Sequence, residues 1–447
     1  MTLFTLFWAS GDLAKLKIFP SLFGLYKNGL LPESFILIGY ARSVFSRDEF
    51  CDLVAQSIHH MATWWTDIDE SKLTGFLSGV YYFQGSYDDA SSYHEYQRFL
   101  IDELSYDPLS TTHLVYLSIP PVIAPQILDH LADVFDPHTS QMRIILEKPF
   151  GHDEASATTL FAHLFSRYPR PSLYFLDHYL GKQTLRDLAL RDGTSFLSEL
   201  LALDNIASIE ISAIETLDAG SRIGYFDGVG TIEDMMQSHL IQMLAFACLD
   251  TSTRSLRAKK IDVLSSLRFS QDKKDIILGQ YDEYRGHDTR VSTSDTETYA
   301  AIRCTLLHGE ESVPVFLRSG KSLHQKSTYI HIHLKDSIIA HAGCEWVTID
   351  MTANQILLHS KNESTKEISL SRKDVCELYH LDAHEVLFLD VMEGDERFFL
   401  SDREIELAWW VIDSVKDTIK KAALTPILYK EKSHGPDEAA LFFSWYY

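Results

Sequence analysis

Cysteine is scarce in this chain. Its five cysteines (Cys51, Cys248, Cys304, Cys344 and Cys376) are scattered over 447 residues, odd in number and never spaced Cys-x-x-Cys. That pattern argues against a disulfide framework or a zinc site and fits a reducing cytosol. Long apolar runs are also missing: no stretch of about 20 apolar residues occurs, so no membrane partner is expected. The chain opens on Thr2-Leu3-Phe4-Thr5-Leu6-Phe7 without a basic region or a cleavable apolar core, so secretion is not expected and the expected location is cytoplasmic. Bases are few, 40 Lys and Arg against 63 Asp and Glu, for a formal charge of -23. Such a field opposes broad contact with nucleic acid or an anionic membrane. Finally, there is no Pro/Gly/Ser-rich tract and no internal repeat, which leaves no place for a long disordered arm or a solenoid.

What is present suits a soluble globular protein, 45% hydrophobic and 23% charged, long enough for two domains. Leu3–Phe7 reads as a buried strand, and Ala14–Tyr26 as a helix with apolar residues at Ile18, Leu22 and Leu25 or Tyr26. Phe35–Gly39, His113–Ile119, Arg143–Leu146 and Leu173–Leu176 read as further strands. From about residue 178 the pattern changes. Ile206–Ile214, Tyr299–Leu306 and Tyr329–Leu334 interrupt helical stretches, which implies an α+β domain built on a mostly antiparallel sheet. The expected division is 1–177 and 178–447. His331 and His333 alternate along a strand with no third ligand in view, and read as surface residues rather than a metal site; no metal is expected.

The densest polar run is Asp177-His178-Tyr179-Leu180-Gly181-Lys182. A helix starting near His178 would place His178, Tyr179 and Lys182 close to one face, at an N-terminus suited to phosphate. Asp177 closes an apolar strand, where α/β sites are built. A solvated helix start is the plainer alternative. The run resembles the substrate-site signature of glucose-6-phosphate dehydrogenases, Arg-Ile-Asp-His-Tyr-Leu-Gly-Lys-Glu. Phe175 and Leu176 replace its first two residues and Gln183 its last. The likeness extends over nearly the whole chain.

That family implies a Rossmann-like N-terminal dinucleotide-binding domain followed by a larger β+α domain whose broad sheet forms a homodimer, or a dimer of dimers. Trp8-Ala9-Ser10-Gly11-Asp12-Leu13-Ala14 resembles its Gly-x-x-Gly-Asp-Leu-Ala fingerprint, in which backbone amides receive a pyrophosphate. Ser10, Gly11, Asp12, Leu13 and Ala14 are therefore expected at the cofactor, with Arg42 and Ser43 after the second strand. Arginine where NAD enzymes carry an acid favours a 2′-phosphate, hence NADP. Glu147-Lys148-Pro149 matches the family's Glu-Lys-Pro, placing Lys148 near cofactor and substrate and implying a cis bond before Pro149. Trp8 departs from the first glycine of the turn, and Ala124 from a position often aromatic. Two readings follow for Trp8: the turn survives with Trp8 at negative φ and its ring folded aside or stacked near the adenine, or the ring blocks the pyrophosphate.

In the second half, Ile223-Gly224-Tyr225-Phe226-Asp227 through Asp234-Met235-Met236-Gln237-Ser238-His239 resembles the family's Gly-Tyr-Phe-Asp … Asp-x-x-Gln-Asn-His, with Ser238 for asparagine. His239 falls on a largely buried helical face. Asp234, five residues earlier, lies about 140° away on an ideal α-helix and reaches the same pocket only through an irregular first turn. Glu215 matches a substrate-contacting glutamate. Val313-Pro314 through Arg318-Ser319-Gly320-Lys321 matches Val-Pro-x-x-x-Arg-x-Gly-Lys, placing Lys321 and Lys326 over the sugar phosphate. Departures are Leu201-Ala202-Leu203 for Trp-Asn-Arg, Thr352 for a glutamine, and Asp350 at a position basic in animal members.

The resemblance implies oxidation of glucose 6-phosphate at C1 to the 6-phospho-lactone with hydride transfer to NADP, the first step of the oxidative pentose phosphate pathway. His239 would be the base and Asp177 its carboxylate partner. His178, Tyr179, Lys182, Lys321 and Lys326 would grip the phosphate, and Glu215 and Asp234 the sugar hydroxyls. Two alternatives stand beside it: a dehydrogenase of another sugar phosphate, and a non-catalytic binding protein with a degenerate cofactor site.

Overall fold

A computed structural model describes every residue except 62–67, 192, 251, 253, 287, 361–364, 369–378 and 443–447. Cys376 falls outside the described residues; Cys51, Cys248, Cys304 and Cys344 are free thiols. Among the described residues, no helix is long and apolar enough to cross a membrane. The chain forms two compact units. The first comprises Met1–Phe150, Thr158–Gly181 and Lys373–Leu400, and the second Gly151–Ala157, Lys182–Arg372 and Ser401–Tyr447.

The first unit is built on six parallel strands, β1 (Thr2–Phe7), β2 (Phe35–Ala41), β3 (Val80–Gln84), β4 (Thr112–Leu117), β5 (Gln141–Glu147) and β6 (Leu173–Leu176), in the order β3-β2-β1-β4-β5-β6. This is the order of a dinucleotide-binding sheet, with its switch point between β1 and β4. Strands covered on both faces need near-continuous apolar residues, and Leu3, Phe4, Leu6 and Phe7 are fully buried. The one polar residue among them, Thr5, shares its hydroxyl with Tyr96 and with His113 Nε2 at 2.8 Å, so burial costs it little. A helix from late in the chain, Ala383–Glu393, belongs to this unit. Its Phe388 ring meets Phe4 and Tyr116 edge-on at 5.5 and 5.8 Å.

The second unit carries a ten-stranded sheet. Its strands are β7 (Ile206–Ile214), β8 (Leu267–Phe269), β9 (Ile276–Tyr281), β10 (Tyr299–His308), β11 (Glu311–Gly320), β12 (Ser327–Leu334), β13 (Trp346–Asp350), β14 (Gln355–His359), β15 (Thr365–Ile368) and β16 (Ile427–Tyr429). The order is β15-β14-β13-β12-β7-β11-β10-β9-β16, with β8 on β10. Pairing is antiparallel except between β7 and β11 and between β9 and β16. Along β12, Ile330 and Ile332 are fully buried while His331 and His333 point the other way. These histidines are half-buried rather than plainly on the surface. Tyr329 lies 4.1 Å from the His331 ring, and burial lowers the pKa of His331 to about 3. Asp350, where animal members are basic, accepts the backbone amides of Thr352 and Ala353, so this carboxylate caps a turn.

Candidate active site

In the first unit, β1 runs into the turn that the fingerprint predicts. The Gly11 amide donates to the Trp8 carbonyl at 2.8 Å, and the Trp8 amide donates to the Tyr40 carbonyl at 3.0 Å. The turn thus closes despite the lost glycine, but not at the negative φ expected: Trp8 sits at φ 63. The geometry that glycine adopts freely is imposed on an aromatic residue, at a cost of about 1–2 kcal/mol. The indole recovers part of that cost. It stacks on Tyr87 with ring centroids 5.4 Å apart and planes 8° from parallel, and the Arg42 guanidinium stands 5.6 Å from its centroid. The ring also lies against Gly11, where a Cβ would come within 2.4 Å of Trp8 Cδ1.

Downstream, Ala14–Ile18 forms a π-helical turn before the α-helix Phe19–Lys27, where a single helix was expected. Asp12 is exposed, Leu13 half-buried and Ala14 buried. A dinucleotide 2′-phosphate needs hydroxyl donors and a solvent-facing cation. Ser10 Oγ and Ser43 Oγ lie 3.2 Å apart, and Arg42 at the end of β2 is exposed. This donor set fits NADP.

At the far side of the same sheet, β5 ends in Glu147 and a cis Lys148-Pro149 peptide, as the motif implies. Burial raises the Glu147 pKa, and its carboxyl accepts the Tyr116 hydroxyl. β6 ends at Asp177, which is 2% exposed; its Oδ1 accepts the Tyr179 amide at 2.9 Å. That bond winds His178–Gly181 into a 3-10 turn instead of the α-helix expected from His178. The turn is stopped at Gly181, where a Cβ would fall 2.3 Å from the Ala383 carbonyl oxygen. Lys182 is extended at ψ 130 and caps the separate helix Gln183–Ala189, so no common helical face joins it to His178. His178 instead faces His384, the two imidazoles 5.9 Å apart and 6° from parallel.

The second unit supplies the other candidates. Residues Ile232–Leu240 form a π-helix, closed by the Ile241 amide donating to the Met236 carbonyl. With i→i+5 bonding, residue i+5 stands roughly one turn above residue i. Asp234 and His239 therefore share a side, which removes the 140° conflict. His239 is 1% exposed. Ser238, the replacement for asparagine, turns its hydroxyl back to the Asp234 carbonyl at 2.6 Å. Glu297 accepts the Ile232 amide at 3.0 Å and fixes the first turn of this helix.

Glu215 and Lys321 are brought together at the ends of the paired strands β7 and β11, Nζ to Oε2 2.6 Å. The two predicted substrate contacts are thus each other's partner. Lys321 also stands 5.1 Å above the Phe226 ring, and Tyr429 donates to its carbonyl at 2.7 Å. Lys326 is exposed beyond β11, and among the described residues no hydrogen bond or ion pair joins it to Lys321 or Glu215.

Tyr87, His384, Phe226 and Glu297 were not singled out from the sequence. Phe226 lay inside a quoted block but was read only as part of it. The capping signal Asp382-x-x-Glu385 before an apolar run marks the helix bearing His384 and was available to find it. Nothing local marks Tyr87 or Glu297, whose partners are 79 and 65 positions away.

The chain matches the model of the glucose-6-phosphate dehydrogenase NAD binding domain over residues 5–187 and of the glucose-6-phosphate dehydrogenase C-terminal domain over residues 188–445. It is 31% identical to glucose-6-phosphate 1-dehydrogenase of Saccharomyces cerevisiae, over 97% of this chain and 91% of the relative. Among solved structures it resembles a glucose-6-phosphate dehydrogenase in complex with its substrate glucose-6-phosphate, with TM-score 0.86, 29% identity, and 99% and 97% of the two chains covered. It also resembles glucose-6-phosphate 1-dehydrogenase from Mycobacterium avium, with TM-score 0.82, 26% identity, and 98% and 96% covered. With a parallel dinucleotide-binding sheet, a mostly antiparallel second sheet and the two family models matching residues 5–187 and 188–445, the chain belongs to the glucose-6-phosphate dehydrogenase family.

Proposed function

We propose that this protein oxidises D-glucose 6-phosphate at C1 to 6-phospho-D-glucono-1,5-lactone, with NADP as the hydride acceptor. The observation that best supports this reading is the π-helix, which buries His239 and sets Asp234 one turn below it. An imidazole shielded from bulk water, with an acidic residue on the same side of its helix, suits a base working on one hydroxyl of a polyol. Bound NADP supplies the site to which hydride leaves. His239 takes the proton of the C1 hydroxyl while the C1–H bond breaks with its electron pair leaving as hydride, so that C1 becomes the lactone carbonyl. Asp177 carries over from the motif as the carboxylate that keeps the imidazole in its accepting tautomer. Asp234 and Glu215 hydrogen-bond sugar hydroxyls, and His178, Tyr179, Lys182, Lys321 and Lys326 hold the phosphate. Lys148 lies on the shared border of cofactor and substrate. Ser10, Gly11, Asp12, Leu13 and Ala14 meet the pyrophosphate, and Arg42 and Ser43 the 2′-phosphate. Grip on the remote phosphate then positions the reacting carbon.

The test is a 340 nm assay with glucose 6-phosphate, other hexose and pentose phosphates, and NADP or NAD. Glucose 6-phosphate with NADP is expected to give the highest kcat/KM; a different sugar phosphate in first place would refute the substrate. His239→Asn is expected to lower kcat by about 10²- to 10⁴-fold with little change in substrate affinity. Near-normal kcat in that variant would remove His239 from the chemistry. A homodimer is part of the proposal, checked by light scattering on the purified chain.

A further inference from the structure

Three groups that the sequence keeps far apart meet beside the cofactor turn: Trp8, Arg42 and Tyr87. The two rings are stacked 5.4 Å apart, and the guanidinium stands 5.6 Å from one centroid and 5.3 Å from the other. Tyr87 is itself braced from below, with Tyr40 at 6.0 Å, and Tyr40 stacks on Phe7 at 4.5 Å. The base of this arrangement is rigid, whereas its outer members are not buried: Trp8 is half-exposed and Arg42 is exposed. Core packing therefore does not explain why a turn suited to glycine holds an indole at φ 63. The cation does. An arginine resting on two aromatic rings has lost much of its rotamer freedom before any phosphate arrives, and its planar fork stays open to an anion.

We propose that Trp8 is a specificity-determining residue of the dinucleotide site, acting by holding Arg42 in the orientation that receives the 2′-phosphate of an adenosine 2′-phosphate. This rests on reading the first unit as the NADP site. With glycine at position 8 of this chain the arginine would be held by one ring rather than two. Preorganisation of this kind raises affinity for the phosphorylated adenosine and leaves the unphosphorylated one nearly unchanged. Trp8 is a positioning residue here, and the phosphate contact remains that of Arg42.

Calorimetric titration of the full chain with adenosine 2′,5′-bisphosphate and with adenosine 5′-monophosphate separates the possibilities without turnover. The wild type is expected to prefer the bisphosphate. Trp8→Gly, which suits the positive φ, is expected to weaken the bisphosphate by about three- to fivefold, the size of an exposed cation–π contact, and to leave the monophosphate within about twofold. Trp8→Phe, which keeps a ring, should retain most of the preference, and in Arg42→Ala the Trp8→Gly change should have no further effect. An unchanged ratio in Trp8→Gly overturns the proposal. So does tighter binding of both ligands, which would mean that the indole obstructs the site. If the wild type binds NADP but shows no preference for the bisphosphate, the role of Trp8 fails alone; if it binds neither NADP nor the bisphosphate, the cofactor reading fails with it.

Discussion

Glu297 offers the sharpest test of how the candidate base is held. Its carboxyl accepts the Ile232 amide at 3.0 Å, and the Thr231 amide donates to its backbone carbonyl at 3.1 Å. One residue thus secures the start of the π-helix that bears Asp234 and His239. Burial raises its pKa from 4.5 to about 7, with Glu233 adding to the rise and Lys416 opposing it. Lys416 is itself paired with Glu233 at 2.5 Å. In the unfolded chain this proton leaves near pH 4.5, in the folded chain near pH 7. Between those values the folded state binds more protons, so stability falls as pH rises through the window and the full loss is present above it. The difference of about 2.5 pH units corresponds to at most about 3 kcal/mol, less to the extent that the residue retains contact with solvent. Glu297→Gln keeps an acceptor for the Ile232 amide and cannot ionise. Its urea midpoint is expected to match wild type near pH 5 and to exceed it near pH 8, by up to about 2–3 kcal/mol when converted through the m-value. Parallel pH profiles for the two proteins would refute a buried, ionising Glu297. If the variant is weaker at every pH, the hydrogen bond depends on full carboxylate charge and the linkage argument fails.

Three further outcomes follow from two charge pairs. Lys321→Met is expected to raise KM for the sugar phosphate by about 10- to 100-fold, the worth of a hydrogen bond to a charged group. Because Lys321 and Glu215 are each other's partner at 2.6 Å, adding Glu215→Gln should cost less than the product of the single effects in steady-state kinetics. Lys260 and Glu404 form an ion pair at 2.7 Å with side chains 1% and 0% exposed. Lys260→Met leaves a carboxylate buried without its cation and should destabilise the second unit by about 3–5 kcal/mol in chemical denaturation.

Much of this was legible because the signals are local. Parallel strands such as Leu3–Phe7 and Leu173–Leu176 are short apolar runs that can be buried on both faces, and they were found within one or two residues of where they lie. Strands β7, β10 and β12 of the second sheet were found by the same means. The cis bond before Pro149 was legible from its motif, whereas the way the turns at His178–Gly181 and Ile232–Leu240 are wound was not, because each involves a distant partner. The spacing of Met235, Met236, His239 and Leu240 announced a helix, but the choice of i→i+5 over i→i+4 bonding accompanies a cap on Ile232 from Glu297. The helix expected from His178 is cut to a 3-10 turn by Asp177 beneath it and by Ala383, two hundred residues on, against Gly181.

Trp8 is the clearest case of the same rule. Judged by its own preferences, a tryptophan takes negative φ, which is the geometry expected of it in this turn. In the fold it takes φ 63, because the hydrogen bond from Gly11, the stack on Tyr87 and the guanidinium of Arg42 act together on one residue. A departure from a family motif is therefore poor grounds for calling a site degenerate until its surroundings are known. The motif records which residue most often meets a backbone demand, and the demand can also be met by an unfavoured residue whose side chain repays it with contacts glycine could not make. Here those contacts converge on Arg42, the cation we propose for the 2′-phosphate, so the same substitution that looked like damage to the cofactor turn becomes a reason to expect discrimination in it.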